Sequence, residues 1–245
     1  MSHELRTPIA VIRSQCEFAL SGQAGEEEKR EAFEAVLKQS ERMNSIVSQL
    51  LLLSRAENGK FVPEREPVEL NVLCETVCEE LEAMAAERQV ELAWNTEKLQ
   101  IVGDETLLIR MVNNLVSNAI RYNRPGGSAE VSLRKRGKYA VLTVRDTGIG
   151  IRREDLGQIF SRFYRADRSR SSEGTGLGLS MAAWIARVHG GSIRAESVYG
   201  EEASLRQSFQ SKSRRKREEK ADKEKQNPVS GRCQRPGSVF LGKVH

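Results

Sequence analysis

Near the start of the chain, Leu5, Ile9, Ile12, Cys16 and Ala19 recur at alternating four- and three-residue steps. Phe33, Val36, Met43, Val47 and Leu50 keep the same rhythm further on, with Ser40 and Ser54 filling the gaps. A seam of that period predicts two helices, each with one narrow apolar stripe. Between them SGQAGEEEK offers turn glycines and then acids, which suit the positive end of a helix. Two helices bury little surface alone, so the pattern predicts a hairpin that pairs with a second copy as a four-helix bundle. Pro8 falls inside the first helix, where it removes the bond to the Glu4 carbonyl and predicts a bent or loosened turn beside His3. His3 itself lies two positions before Leu5, about 200° around the helix from the seam, and is expected to face solvent.

Beyond the proline-punctuated stretch NGKFVPEREPVEL the texture changes to alternating helices and strands. A helix is predicted over 71–87, short strands at VELAW and LQIVG, and a helix over 104–122 capped by Asp104. AEVSLRKRGKYAVLTVRDTG reads as a hairpin turning at Gly137. LSMAAWIARVHG reads as a helix stopped by Gly190 and Gly191, and SIRAESV as a last strand. The expected class is α+β: a helical hairpin (1–58), a linker (59–67), an α/β sandwich with a mixed sheet and helices on one face (68–200), and a disordered charged tail (201–245).

Composition narrows the function classes. The 245 residues are 38% hydrophobic and 30% charged, which fits a soluble, helix-rich protein. No apolar run approaches a bilayer span, and the N-terminus lacks a signal layout, so a cytoplasmic location is expected. The net charge of +5 arises mostly from KSRRKREEKADKEK onward, where basic and acidic residues mix without aromatic interleaving, which argues against nucleic acid as partner. Cys16, Cys74, Cys78 and Cys233 have no metal-ligand spacing; Cys74 and Cys78 share a helical face and read as small core residues.

Four stretches carry candidate chemistry. In NNLVSNAIRYN, Asn114 and Asn118 stand one turn apart with Arg121 and Tyr122 nearby. Amide oxygens can ligand a hard cation such as Mg²⁺, and an aromatic ring with a cation suits a purine and its phosphates, although a polar helix face would look the same. In RDTGIGI, Asp146 ends an alternating strand and can accept from a base amino group, while Gly148 and Gly150 let the backbone approach closely; a simple turn is the plainer alternative. IFSRFYRAD interleaves Phe160, Arg162, Phe163, Tyr164 and Arg165, as a lid anchor or a packed loop would. EGTGLGLS runs Gly174, Gly176 and Gly178 into a helix N-terminus, a ready anion site that is neither a P-loop nor a dinucleotide fingerprint.

SHELRTP, NNLVSNAIRYN, DTGIGI, FSRFYRAD and GTGLGLS, in this order, resemble the histidine, asparagine, first glycine, phenylalanine and second glycine boxes of bacterial two-component sensor histidine kinases, from residue 1 to about Gly200. The resemblance implies an ATP-dependent protein-histidine kinase with an ATP-binding domain of the GHKL type. His3 would be the phosphoacceptor, Glu4 would take or orient its proton, and Thr7 would position water for a phosphatase reaction. Asp146 and Tyr122 would hold adenine, Asn118 would ligand Mg²⁺, and Asn114 and Arg121 would lie near the phosphates. Backbone amides of Gly174, Thr175, Gly176, Leu177 and Gly178 would hold the β- and γ-phosphates, with Gly148, Gly150, Phe160 and Arg165 completing the ATP site. The implied partners are a response regulator receiver domain, whose aspartate takes the phosphoryl group, and a second copy through the hairpin. Relatives with a glutamate at the position of Asn114 hydrolyse ATP; an amide cannot act as that base.

The sequence also departs from the family. The first helix starts at Met1, placing His3 near a helix end, and no sensor or membrane segment precedes it, whereas a full-length relative would usually be membrane-anchored. YGEEASLRQSFQSKSRRK stands where a glycine-rich turn and closing strand are expected, so that strand is predicted to be lost, as in a truncated or frame-shifted product. The alternative to an active kinase is an impaired module that dimerises or binds nucleotide without transferring phosphate.

Overall fold

The computed structural model describes residues 2–22, 24–57, 61–166, 175–199 and 202–210. Helix α1 (Ser2–Leu20) and helix α2 (Glu26–Glu57) form an antiparallel hairpin. Gly25 N donates to the Glu28 carboxylate at 2.8 Å, one half of a capping box, and Glu26, Glu27 and Glu28 meet the positive end of α2. Pro8 is buried within α1, which remains helical from Ser2 to Leu20.

Helix α2 carries two apolar faces where the pattern indicated one. Ile46 and Leu53 are fully buried in the same core as the α/β part of the molecule, with Leu50 packed beside them. Burying each stabilises the docked arrangement by about 1.5–3 kcal/mol. Phe33 (60% exposed), Leu37, Val47 and Leu51 form the other face and remain open to solvent.

The remaining elements follow as strand β1 (Glu66–Glu69), helix α3 (Leu70–Glu87), strands β2 (Glu91–Thr96) and β3 (Gln100–Gly103), helix α4 (Glu105–Arg121), strands β4 (Ser128–Arg136) and β5 (Tyr139–Asp146), helix α5 (Gly178–Val188), and strands β6 (Ser192–Val198) and β7 (Glu202–Gln210). Five strands make a mixed sheet in the order β2-β4-β5-β7-β6, parallel between β2 and β4 and antiparallel elsewhere. Helices α3, α4 and α5 pack on it through Leu73, Val77, Leu108, Met111, Leu115, Met181 and Ile185. Cys74 and Cys78 lie buried in this layer, and burial pushes both thiols up, Cys78 to about 12.

Two expectations need correction. The stretch taken as linker ends in strand β1, which pairs antiparallel with β3 as a separate ladder, Pro67 opposite Val102. Proline is tolerated there because a two-stranded ladder has only edges. Phe61, also in the supposed linker, packs edge-on against Trp184 at 5.3 Å. More important, the closing strand is present. β7 runs through residues assigned to the tail and lies inside the sheet, between β5 and β6. Ala203, Leu205 and Phe209 keep a period of two, but Gln207 interrupts it and the basic run that follows masks it.

The N-terminus of α4 is tied to three segments. Asp104 Oδ1 accepts from Leu107 N (3.0 Å), as predicted for the cap, and Oδ2 accepts from Glu64 N (3.2 Å). Asp104 N donates to Nε2 of His189, whose Nδ1 donates to the Ile185 carbonyl at 2.8 Å.

Candidate functional site

A cavity of about 570 Å³ opens between one side of α4, the turn after β5, the start of α5 and a polar stripe on α2. That is the size range of small-molecule sites. Its shape follows from the burial pattern of α4. Leu108, Met111, Val112, Leu115 and Ala119 take the core side, so Asn114, Asn118 and Arg121 are left half-buried on the wall of the cavity. Asn114 Nδ2 donates to the Arg110 carbonyl at 2.8 Å. Its Oδ1 abuts the first residue of α5, where a Cβ on Gly178 would come within 2.9 Å of it.

The turn after β5 is laced to the end of α4. Asp146 is buried (8% exposed), and its Oδ1 accepts from Gly148 N at 3.0 Å. Ile149 N donates to the Tyr122 carbonyl at 3.1 Å. A Cβ on Gly148 would lie 2.4 Å from that same carbonyl oxygen, so only glycine permits the approach. Thr147 Oγ1 accepts from Ser128 N at 2.8 Å, and Asn123 Nδ2 donates to the Ala119 and Ser128 carbonyls. Asp146 and Tyr122 are thereby held on one wall.

The aromatic stretch and the second glycine stretch interlock. Phe163 adopts φ +60°, and its N donates to the Gly176 carbonyl at 2.9 Å. Gly176, at φ +67°, leaves no room for a side chain: a Cβ would meet the Phe163 carbonyl carbon at 2.7 Å. The Tyr164 hydroxyl bonds the buried Asp155 carboxylate, and that bond is the main cause holding the phenol above its ordinary value.

Among the described residues, the charged groups on the cavity wall are Arg42, Arg121 and Arg165 against the single carboxylate of Asp146. The excess of cations favours an anionic ligand. Arg121 Nε is buried with no hydrogen-bond partner among the described residues. No cluster of three or more His, Cys, Asp or Glu side chains occurs there to hold a metal ion.

Of the residues singled out in the sequence, Asn114, Asn118, Arg121, Tyr122, Asp146, Gly150, Arg165, Thr175, Gly176 and Gly178 line this cavity. Gly148 shapes it from behind. Phe160 and Leu177 pack into the core instead. Thr7 lies in a separate shallow groove on α1 with Arg6, Ala10 and Ser14. Gly174 and the side chains of His3 and Glu4 fall outside the described residues. Arg42, Ser45 and Gln49 of α2 also line the cavity and had not been singled out. Their spacing of three and four is a helical stripe, but on a helix read for its apolar seam it looked like an ordinary solvated face.

Comparisons with known proteins agree with this geometry. Residues 1–59 match the family described as His Kinase A (phospho-acceptor) domain. Residues 103–213 match the Histidine kinase-, DNA gyrase B-, and HSP90-like ATPase family, a range that runs through β7. The sensor protein kinase PmrB of Pseudomonas aeruginosa is 38% identical over 192 residues, 78% of this chain but only 40% of PmrB. Among solved structures, the Acinetobacter baumannii histidine kinase AdeS has a TM-score of 0.71 at 23% identity, covering 86% of this chain and 98% of that one. The histidine kinase ThkA in complex with the response regulator protein TrrA has a TM-score of 0.68 at 23% identity, covering 86% and 59%. The chain belongs to the two-component sensor histidine kinases and carries both parts of their catalytic core. Among the described residues no helix is long and apolar enough to cross a membrane.

Proposed function

We propose that this chain is an ATP-dependent protein-histidine kinase core that phosphorylates itself on His3 and passes the phosphoryl group to an aspartate of a response regulator. The observation that carries the reading is the cavity itself: asparagines, a buried carboxylate behind glycine turns, and an excess of arginine meet in one space of nucleotide size. Asp146 and Tyr122 take the adenine, the carboxylate accepting from the exocyclic amine. Arg121, with the amides at Thr175, Gly176 and Gly178, takes the phosphates, where free N–H groups and the start of α5 favour negative charge.

The donor set also fits Mg²⁺. With no acidic cluster available among the described residues, the ion would be held by the Asn118 amide oxygen, phosphate oxygens and water, the usual mode for this cation. Bound there, it would neutralise charge developing on the transferred group.

In the transfer, a neutral ring nitrogen of His3 attacks the γ-phosphorus, the bond to the β-phosphate oxygen breaks, and ADP leaves. The ring proton passes to the Glu4 carboxylate. In the second step the P–N bond breaks as an aspartate oxygen of the regulator takes the phosphoryl group. Hydrolysis is disfavoured because the sole carboxylate on the described cavity wall, Asp146, is engaged by Gly148 N and assigned to the base. Support for the partner comes from the phosphoacceptor family match and from ThkA, whose solved complex contains a response regulator. The hairpin pairs with a second copy through the exposed face of α2. The chain would act in the cytoplasm, as the cytoplasmic part of a membrane-anchored sensor.

The test is incubation of the whole chain with γ-labelled ATP and Mg²⁺. We expect acid-labile, base-stable label that is absent from His3→Gln. Label persisting in that variant would overturn the assignment of His3; ATP binding without any label would reduce the chain to a binding module.

A further inference from the structure

Taking the cavity as a nucleotide site, as proposed above, we propose that helix α2 supplies part of it: Arg42 binds the anionic tail of the nucleotide, and Gln49 closes the site beside it. The hairpin would then not only present the phosphoacceptor but complete the ATP site of the same chain.

Three observations support this. First, Arg42, Ser45 and Gln49 form one stripe on α2 that faces the cavity opposite Asn114, Asn118 and Arg121. The stripe runs alongside Ile46 and Leu53, whose complete burial fixes which side of α2 turns toward the α/β part. Second, Arg42 Nε and Gln49 Oε1 are both buried yet have no hydrogen-bond partner among the described residues. Such groups are costly unless something fills the space they face. Gln49 Nε2 donates to Ser45 Oγ at 3.0 Å, which ties the side chain to the stripe along the cavity wall. Arg121 Nε, on the far wall, is likewise unmatched. Two guanidinium groups without carboxylate partners among the described residues, both lining one space, suit a polyphosphate, whose oxygens accept from both. Third, the placement suits the reaction. Arg42 stands about 24 Å along α2 from Glu26, and His3 about 25 Å back along α1 from Leu20, at the usual helical rise. The two are level on the hairpin, so an anionic tail held by Arg42 lies at the height of the phosphoacceptor.

The test is calorimetric titration of the whole chain with ATP and with adenosine, for the wild type, Arg42→Met, Arg42→Lys and Gln49→Glu. Arg42→Met keeps an unbranched apolar stem while removing the charge. We expect it to weaken ATP binding at least about fivefold and leave adenosine binding unchanged, and Arg42→Lys to recover part of the loss. Gln49→Glu adds an anion beside the tail and should weaken ATP more than adenosine. Equal loss of both ligands in Arg42→Met would mark a structural role only and overturn the proposal, as would unchanged ATP affinity. A wild-type chain that binds neither ligand would instead sink the nucleotide reading, and this one with it.

Discussion

At the scale of single residues, the site depends on atoms that are missing. Gly148 has no side chain, and so the turn after β5 can rest on the Tyr122 carbonyl; a methyl group there would sit 2.4 Å from the oxygen. The neighbour is backbone and cannot swing aside. Gly148→Ala should therefore lower stability by about 1–3 kcal/mol and ATP affinity by tenfold or more, as the turn lifts away and takes Asp146 with it. Thermal unfolding and calorimetry on the same sample check both halves. A variant that loses stability but binds ATP normally would show that Asp146 does not depend on this contact. The DTGIG motif made Gly148 visible in the sequence, since two glycines after a carboxylate are difficult to explain otherwise. Arg42 was not visible, because nothing in a run of charged helix residues distinguishes the one that faces a cavity.

At the scale of elements, the start of α4 holds a pH-dependent joint. His189 accepts a hydrogen bond from Asp104 N, which requires Nε2 without a proton. Burial lowers its pKa, and Arg65 adds to that, while the bond to Ile185 and the Asp104 carboxylate oppose it. A folded pKa below the usual value of about 6.5 means that the contribution to stability is fully present above that value. It is lost as the pH falls through the lowered pKa, because the unfolded chain then binds the extra proton first. The unfolding temperature should thus fall as the pH is lowered below about 6.5, and His189→Gln, which keeps an acceptor but cannot titrate, should flatten the fall. An unchanged slope would place the titration elsewhere. The sequence revealed Asp104 as a cap because a short acid before an apolar period is a local signal. The partnership with His189 was hidden, as it joins residues 85 positions apart. β7 was hidden for a different reason. Like β4–β5 it forms a hairpin, with β6 just before it, Val198 opposite Glu202, but Gln207 breaks its alternation and a basic run follows, so the local signal is lost.

At the scale of the whole molecule, α2 presents a second apolar face outside the heptad seam. Ile46 and Leu53 hold the α/β part, leaving Phe33, Leu37, Val47 and Leu51 for another molecule. A bundle formed by two copies would cover them, and Phe33→Glu should then raise the dimer dissociation constant by at least about tenfold, because each copy would have to bury a charge. Sedimentation equilibrium measures this directly. An unaltered dimer would mean that copies associate through a different face.

The interior position of β7 bears on how the protein is made. β5 has a free edge and β6 has no partner until residues 202–210 have been synthesised. While the ribosome is still adding those residues, the emerging polypeptide carries two unpaired ladders that invite pairing with neighbours. Completion of the sheet is therefore a late event in biosynthesis, and a pause in translation just before Glu202 would prolong the period in which the nascent chain is most exposed to aggregation.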